Sequence, residues 1–307
     1  MMQKLTGEIR RNRGLYLMTV PGIVFFLIFN YLPLAGLYFA FVDYNAISGY
    51  FGFGSKFVGL QNFEFFFTSE DWIPVTVNTL YLNILFISTG LIMQLGMAVF
   101  LNELGNRHFQ KISQSLMFLP NFLSWTVVSI FALAFLGTND GLINKLMVLL
   151  GQKKIRFYQS PQYWPGILVF LRLWKGTGYG AVIFLASITG IDQSIYEAAK
   201  IDGASRWQCI FRLTFPLLRP TVVMMLILSV GSMFNGDFGM IYALVGDNAM
   251  LRSTTDIIDT YVYRALRTNN DIGMSAAVGL FQSILGLVLV LLSNAAAKKL
   301  DSETALF

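Results

Sequence analysis

The polar residues best placed to do chemistry in this chain lie inside an apolar run. The stretch FLRLWKGTGYGAVIF, residues 170–184, sets Arg172, Gly176 and Tyr179 at i, i+4 and i+7, on one face of a helix. Trp174 and Lys175 flank that face. Charges inside an apolar span are expensive and usually point into a polar cavity. An aromatic ring beside a glycine suits a sugar, whose axial C–H face stacks on the ring while its hydroxyls find polar groups. A second account is open: Arg172 and Lys175 snorkel to the outer interface and Tyr179 packs. Further on, Ser229, Ser232 and Asn235 repeat a polar residue every three positions. That pattern serves a polar path or hydrogen bonds between helices. Asp237 follows and is expected to face water at the outer end. The basic pair could meet an acidic sugar such as a uronide, neutral hydroxyls or an acetamido carbonyl.

Other chemistries find little support. The single cysteine, Cys209, excludes an intramolecular disulfide, and the single histidine, His108, argues against a site of histidines or thiolates. No acid falls within the apolar cores, so neither paired-carboxylate catalysis nor ion coupling has its residues there. No GxxxxGK[ST] phosphate loop occurs. If ATP is used, another subunit binds it.

The elements that must position these residues are membrane spans. Of 307 residues, 55% are hydrophobic and 13% charged. A soluble domain carries about 25% charged residues. The net charge of +5 comes from residues scattered around apolar runs, which speaks for orientation in a membrane rather than for nucleic acid. Six apolar segments, roughly 15–41, 75–101, 114–136, 165–189, 214–235 and 272–296, predict an all-α polytopic membrane protein with six transmembrane helices. The first is too long for a signal peptide and reads as a retained span, able to bend at Pro21 or Pro33. With both ends in the cytoplasm, eleven Lys and Arg lie inside, beginning with Lys4, Arg10, Arg11 and Arg13, against eight outside. The N-in/C-in arrangement makes 1–14 a cytoplasmic arm, 15–296 the six-span domain and 297–307 a cytoplasmic tail. Loop 137–164 fits least well, because Lys145, Lys153, Lys154 and Arg156 then lie outside. The outer loops 42–74, dense in Phe and Gly, and 236–271 read as packed loops with an aromatic belt, or as a docking surface for an outside partner.

Between spans four and five, loop 190–213 reads YEAAKIDGASRWQCIFR from Tyr196. Asp192 can cap a short helix from Ser194, and Gly203 permits a turn or a close backbone approach. A second helix, about Ser205 to Arg212, returns the chain to the membrane, with Pro216 and Pro220 near the start of span five. The loop can be an ordinary amphipathic connector. It can also be a thin helix made for a groove on another protein, since Ala198, Ala199, Gly203 and Ala204 leave little side-chain bulk.

The order Glu197, Ala198, Ala199, Gly203, Leu213, Phe215, Pro216 resembles the EAA motif of permease subunits in binding-protein-dependent ABC importers. Leu213 stands where Ile is common, and Phe215 where Leu is common. The fuller YEAAKIDGASRWQ is similar to the carbohydrate branch. Segments RGLYLMTVPGIVFFLIFNYLPLAGLYFAFVDYN, FVGLQNFEFFF and FLPNFLSWTVVSIFALAFLGTNDGLIN resemble permeases for complex oligosaccharides and polysaccharide fragments, alginate-type importers among them.

The resemblance implies a type I importer permease in a bacterial plasma membrane. Tyr196, Glu197, Ala198, Ala199, Asp202, Gly203 and Ala204 would form a cytoplasmic coupling helix seated in a cleft of an ATPase. Arg172, Gly176 and Tyr179 would fall where maltose-type permeases line their sugar path, with Ser229, Ser232 and Asn235 on the same path. The implied partners are a second, different permease subunit, two ATPase subunits that hold ATP and Mg, and an external sugar-binding protein delivering an oligosaccharide. An ion-coupled secondary sugar transporter and a membrane-bound enzyme are the rivals.

Overall fold

A computed structural model describes residues 12–49 and 52–300. The basic residues Lys4, Arg10 and Arg11 of the expected N-terminal arm, and residues 301–307 of the expected tail, lie outside the described residues. The chain divides into two compact units, Met1–Ser69 with Ala265–Phe281, and Glu70–Arg264 with Gln282–Phe307.

The first unit opens with α1 (Arg13–Phe26), which runs through a π turn at Leu27–Tyr31 into a 3-10 stretch at Leu32–Phe41. Together these form one apolar helical segment, Arg13–Phe41, 29 residues long. Pro21 sits inside α1, while Pro33 falls at the start of the 3-10 stretch, where its missing N–H costs nothing. The expected loop after it is ordered. Strand β1 (Val42–Asp43) pairs antiparallel with β2 (Lys56–Phe57), and α2 (Gln61–Thr68) follows. Asn62 on α2 donates from Nδ2 to the carbonyls of Ala40 at 3.0 Å and Val42 at 2.9 Å. Rings of Phe39, Tyr44 and Phe53 pack together at 5.0–5.2 Å between centroids. The aromatic loop is therefore a packed substructure.

The second unit is built on α3 (Trp72–Glu103) and α7 (Trp164–Thr189). Between them come α4 (Arg107–Phe118), α5 (Trp125–Leu136) and α6 (Leu142–Leu149). After α7 come α8 (Gln193–Ile201), α9 (Arg206–Cys209), α10 (Phe215–Leu217) and α11 (Arg219–Gly231). The chain then forms α12 (Phe238–Val245), α13 (Arg252–Thr255), α14 (Ile258–Asn269) and α15 (Ile272–Leu300). The last of these continues past residue 296, where the expected sixth span ends.

Among the described residues, four helical segments are long and apolar enough to cross a membrane: Arg13–Phe41, Trp72–Glu103, Pro161–Thr189 and Ile272–Lys299. Two further segments qualify only as bent pairs, by 97° between His108–Phe122 and Trp125–Leu136 and by 53° between Arg206–Leu217 and Arg219–Gly231. The expected third and fifth spans are these broken ones. The first break follows Pro120, and Ser124 restarts the chain by capping α5 through the Val127 N–H. At the second, Pro216 and Pro220 remove backbone donors on either side of Leu218. The expected fifth span also stops four residues early, at Gly231. Residues 236–271 are not an open loop: Met240, Ile241, Leu244 and Val245 of α12 are buried with Leu82, Phe86, Val128 and Leu168.

Two glycines set how closely α7 approaches its neighbours. A Cβ on Gly178 would run into the Met117 carbonyl of α4, and one on Gly180 into the Gln94 side chain of α3. Small residues at these places allow the close helix packing that membranes favour.

Candidate functional site

Two places in the second unit carry the residues singled out above. The first is a cavity of about 340 Å³ between α3, α7 and α11. Arg172, Lys175, Gly176, Tyr179, Ser229 and Ser232 all line it. The one-face spacing on α7 thus becomes one wall. Opposite stand Asn83, Phe86, Thr89 and Gln94 of α3, with Asn121 and Trp125 at the break before α5.

The two cations are held differently. Arg172 Nη1 lies 3.0 Å from Asp237 Oδ2, and its guanidinium sits 4.7 Å from the Phe86 ring centre. Lys175 Nζ donates to the Asn121 carbonyl at 2.9 Å and lies 5.3 Å from the Trp125 ring centre. No carboxylate pairs with Lys175 among the described residues. Counting Arg172, Lys175 and Asp237, the lining carries one net positive charge. Both cations are thus engaged by groups of the cavity lining. Gly176 meets nothing where a Cβ would stand, so its bare backbone widens the cavity. Tyr179 is half exposed, its ring 6.0 Å from Phe118.

Asp237, expected at the outer end in water, instead turns into the cavity. Its Oδ1 caps α12 by accepting the Met240 N–H at 3.0 Å while Oδ2 holds Arg172. The break at 232–237 places it there, and buried groups pin that break. Asn83 Nδ2 donates to the Met233 carbonyl at 3.0 Å, Gln282 Nε2 to that of Phe234 at 2.8 Å, and Asp259 Oδ2 accepts the Gly236 N–H at 2.7 Å. Burial raises the Asp259 carboxyl above the usual carboxylate range, the Asp237 charge adds to this, and the Gly236 and Gln282 hydrogen bonds oppose it.

Two of the residues expected on the path do not line this cavity. Trp174 faces the other side of α7. Asn235 lies beyond the end of α11 and is exposed, so it cannot continue a three-residue stripe with Ser229 and Ser232. Those two serines bond back to their own helix, to the carbonyls of Met225 and Ser229.

The second place is α8 and the turn after it. Asp192 caps the helix by accepting the Ser194 N–H at 2.9 Å, and this bond holds its carboxyl below the usual range. Gly203 has φ +82°, a conformation that a side chain disfavours, and nothing in this chain stands where its Cβ would be. The glycine is thus required by the turn, and no other part of the chain approaches it. Ser205 and Gln208 form a reciprocal capping box that starts α9. Helix α9 is shorter than expected and opens into a π turn at Ile210–Thr214. There the Tyr196 hydroxyl meets Thr214 Oγ1 at 2.9 Å, tying α8 to the returning chain. Glu197, Ala198, Asp202 and Gly203 are exposed, while Ala199 and Ala204 are half-buried. Ile201 is 86% exposed and Trp207 70%, with the Trp207 ring stacked on Phe211 at 6.1 Å between centroids.

Comparison with known proteins decides the family. A model of the binding-protein-dependent transport system inner membrane component matches residues 86–302. This chain belongs to that family. The permease is 38% identical over 97% of its length to Protein LplB of Bacillus subtilis (strain 168), covering 92% of that protein. It is 36% identical over 98% of its length to the polygalacturonan/rhamnogalacturonan transport system permease protein YteP of the same organism, again covering 92% of it. It also matches a chain of a bacterial alginate ABC transporter solved in complex with an alginate pentasaccharide-bound periplasmic protein. The TM-score is 0.85 at 31% identity, over 97% of this permease and 98% of that chain. The type I importer fold follows from these matches, and the permease is a multi-pass membrane protein.

Proposed function

We propose that this permease forms half of the translocation path of an ATP-driven importer in a bacterial plasma membrane, carrying an acidic oligosaccharide. The cavity carries the reading: two cations face one carboxylate, and Lys175 has only a carbonyl and a ring for company. A uronate carboxylate could pair with Lys175 while the half-exposed Tyr179 offers a ring face to the sugar. The named cargo of two relatives, polygalacturonan/rhamnogalacturonan and alginate, supports the same class.

In this reading Arg172 is held ready by Asp237, and Gln94, Asn83 and Asn121 supply neutral hydrogen-bonding groups. The wall contributed by α3 and α7 closes only one side of a path, so a second, different permease subunit supplies the other. The chain is N-in and C-in, which sets α8 in the cytoplasm as the coupling helix. Glu197 pairs with a basic group on an ATPase subunit. The rigid turn at Gly203 and the Tyr196–Thr214 bond pass the motion of the paired ATPase subunits, which hold ATP and Mg, to the spans. An external sugar-binding protein delivers the cargo.

The test is the full complex in proteoliposomes with the binding protein outside and ATP inside. Uronate oligosaccharides are expected to enter in preference to neutral ones of equal length, and Lys175→Gln to remove the preference. Equal uptake of both by the unaltered complex would overturn the acidic assignment. Uptake by this chain without any ATPase subunit, driven by an ion gradient, would overturn the importer itself.

A further inference from the structure

Helix α7 has two working faces. Arg172, Lys175, Gly176 and Tyr179 face the polar cavity, while Ile167, Phe170, Leu171 and Trp174, spaced i, i+3, i+4 and i+7, line a second hollow on the other side. This groove runs between α5, α6 and α7 and has a volume of about 860 Å³. No charged residue lines it, and its only polar side-chain atoms are the Tyr163 hydroxyl and the Trp174 ring nitrogen. A sugar finds no partners here. The size falls within the range of about 300–1,000 Å³ typical of small-ligand sites.

Three cations sit next to one lining residue in the chain. Phe157 is part of the groove's lining, and Lys153, Lys154 and Arg156 precede it directly. That short segment is fixed in place. Asn144, fully buried on α6, accepts the Ile155 N–H at 2.8 Å and donates to the Ile155 carbonyl at 2.9 Å and the Gly137 carbonyl at 3.0 Å. Lys153 and Lys154 are exposed and make no hydrogen bond or ion pair among the described residues, and Arg156 makes one long bond of 3.4 Å to Gln159. These cations lie in the loop that fits least well with the expected distribution of positive charge, so they call for a separate cause.

We propose that the groove holds an acyl chain of an anionic phospholipid, with its phosphate met by Lys153, Lys154 and Arg156. An apolar slot within a membrane span takes the hydrocarbon, Tyr163 near the end of that span suits the depth of the headgroups, and the Lys and Arg that precede Phe157 meet the charge. The lipid site lies back-to-back with the sugar cavity across α7 and shares no lining residue with it.

The test uses the purified transporter complex in nanodiscs of mixed phosphatidylglycerol and phosphatidylcholine, with lipid retained after delipidation measured by native mass spectrometry. Phosphatidylglycerol is expected to be retained over phosphatidylcholine. The triple change Lys153→Gln, Lys154→Gln and Arg156→Gln is expected to lower that retention about tenfold or more. Gly166→Leu should lower retention of both lipids. Gly166 lines the groove, has open space where its Cβ would be, and sits in a helix that accepts leucine, so this variant tests the slot without unfolding it. Equal retention of the two lipids, or unchanged retention in the triple variant, would overturn the proposal. So would release of a partner permease subunit by Gly166→Leu, since the groove would then belong to protein.

Discussion

Helix α7 and the exposed helix α8 are separated by three residues in the chain, yet the cavity face of the first and the surface of the second are built on opposite plans. In the cavity, charge is answered from within: Arg172 by Asp237, Lys175 by the Asn121 carbonyl and the Trp125 ring. On α8, internal bonds fix only the shape, through the Asp192 cap, the Gly203 turn and the Tyr196–Thr214 contact. Its Glu197 and Ile201 point away from the chain. A site that pairs one of its two cations and leaves the other to a carbonyl and a ring holds its shape while keeping one positive charge for a ligand to meet. A surface whose geometry is fixed but whose side chains are unanswered is shaped for another molecule.

The contrast can be broken at either end. The largest effect is expected on α8. Glu197→Lys should cut ATP-driven uptake by more than about tenfold in reconstituted complexes, as expected when a charge pair at an interface is reversed, with normal insertion into the membrane. Unchanged uptake would mean that α8 is only a connector. Gly203→Leu should come close behind. The left-handed backbone costs a side chain about 1–2 kcal/mol, and the added bulk, which meets open space among the described residues, would fill the proposed ATPase contact. Co-purification of the ATPase subunits reads it.

In the cavity, Arg172→Met should destabilise the isolated chain by about 1–2 kcal/mol, because Asp237 loses a partner in a half-buried setting. Thermal unfolding in detergent checks it, and the double change with Asp237→Asn should recover part of the loss. Tyr179→Ala should weaken transport a few-fold and leave sugar capture by the binding protein untouched, since its half-exposed ring supports little packing. Kinetics of uptake against sugar concentration separate the two.

The smallest effect concerns Asp259. Its carboxyl titrates above the usual range in the folded chain, so folding favours the protonated form. That contribution is fully present at pH below the ordinary carboxylate value and is lost as pH rises through the raised one. A melting temperature that declines across this window, and a flatter profile in Asp259→Asn, are expected.

How much of this could be read in the sequence depends on the distance over which each feature is determined. The α7 face was legible because Arg172, Gly176 and Tyr179 belong to one unbroken helix, where spacing alone fixes direction. The Asp192 cap and the turn at Gly203 were legible for the same local reason. Asp237 was not, because it reaches Arg172 across 65 residues by way of a break that Asn83, Gln282 and Asp259 hold from elsewhere in the chain. Asn235 was assigned to a helix that had already ended at Gly231. Trp174 shows the limit of the same reasoning, since flanking a face does not say to which side a ring turns. Pro216 and Pro220 were read only as lying near the start of span five and Pro120 was not singled out, so the bends of 97° and 53° were not foreseen.

Helix α7 spans 26 residues, about 39 Å, and ends at Thr189, with only Gly190, Ile191 and Asp192 before α8 begins. Gly178 and Gly180 lock its middle against Met117 and Gln94 with no room for a methyl group. It therefore behaves as a connecting rod bolted to its neighbours. A tug delivered at α8 has about ten residues, roughly 15 Å, to travel before it reaches Tyr179, through a segment with no hinge in it. Wear on such a linkage would show first as slack at the bolts: Gly178→Ala and Gly180→Ala should leave both ends intact and uncouple them.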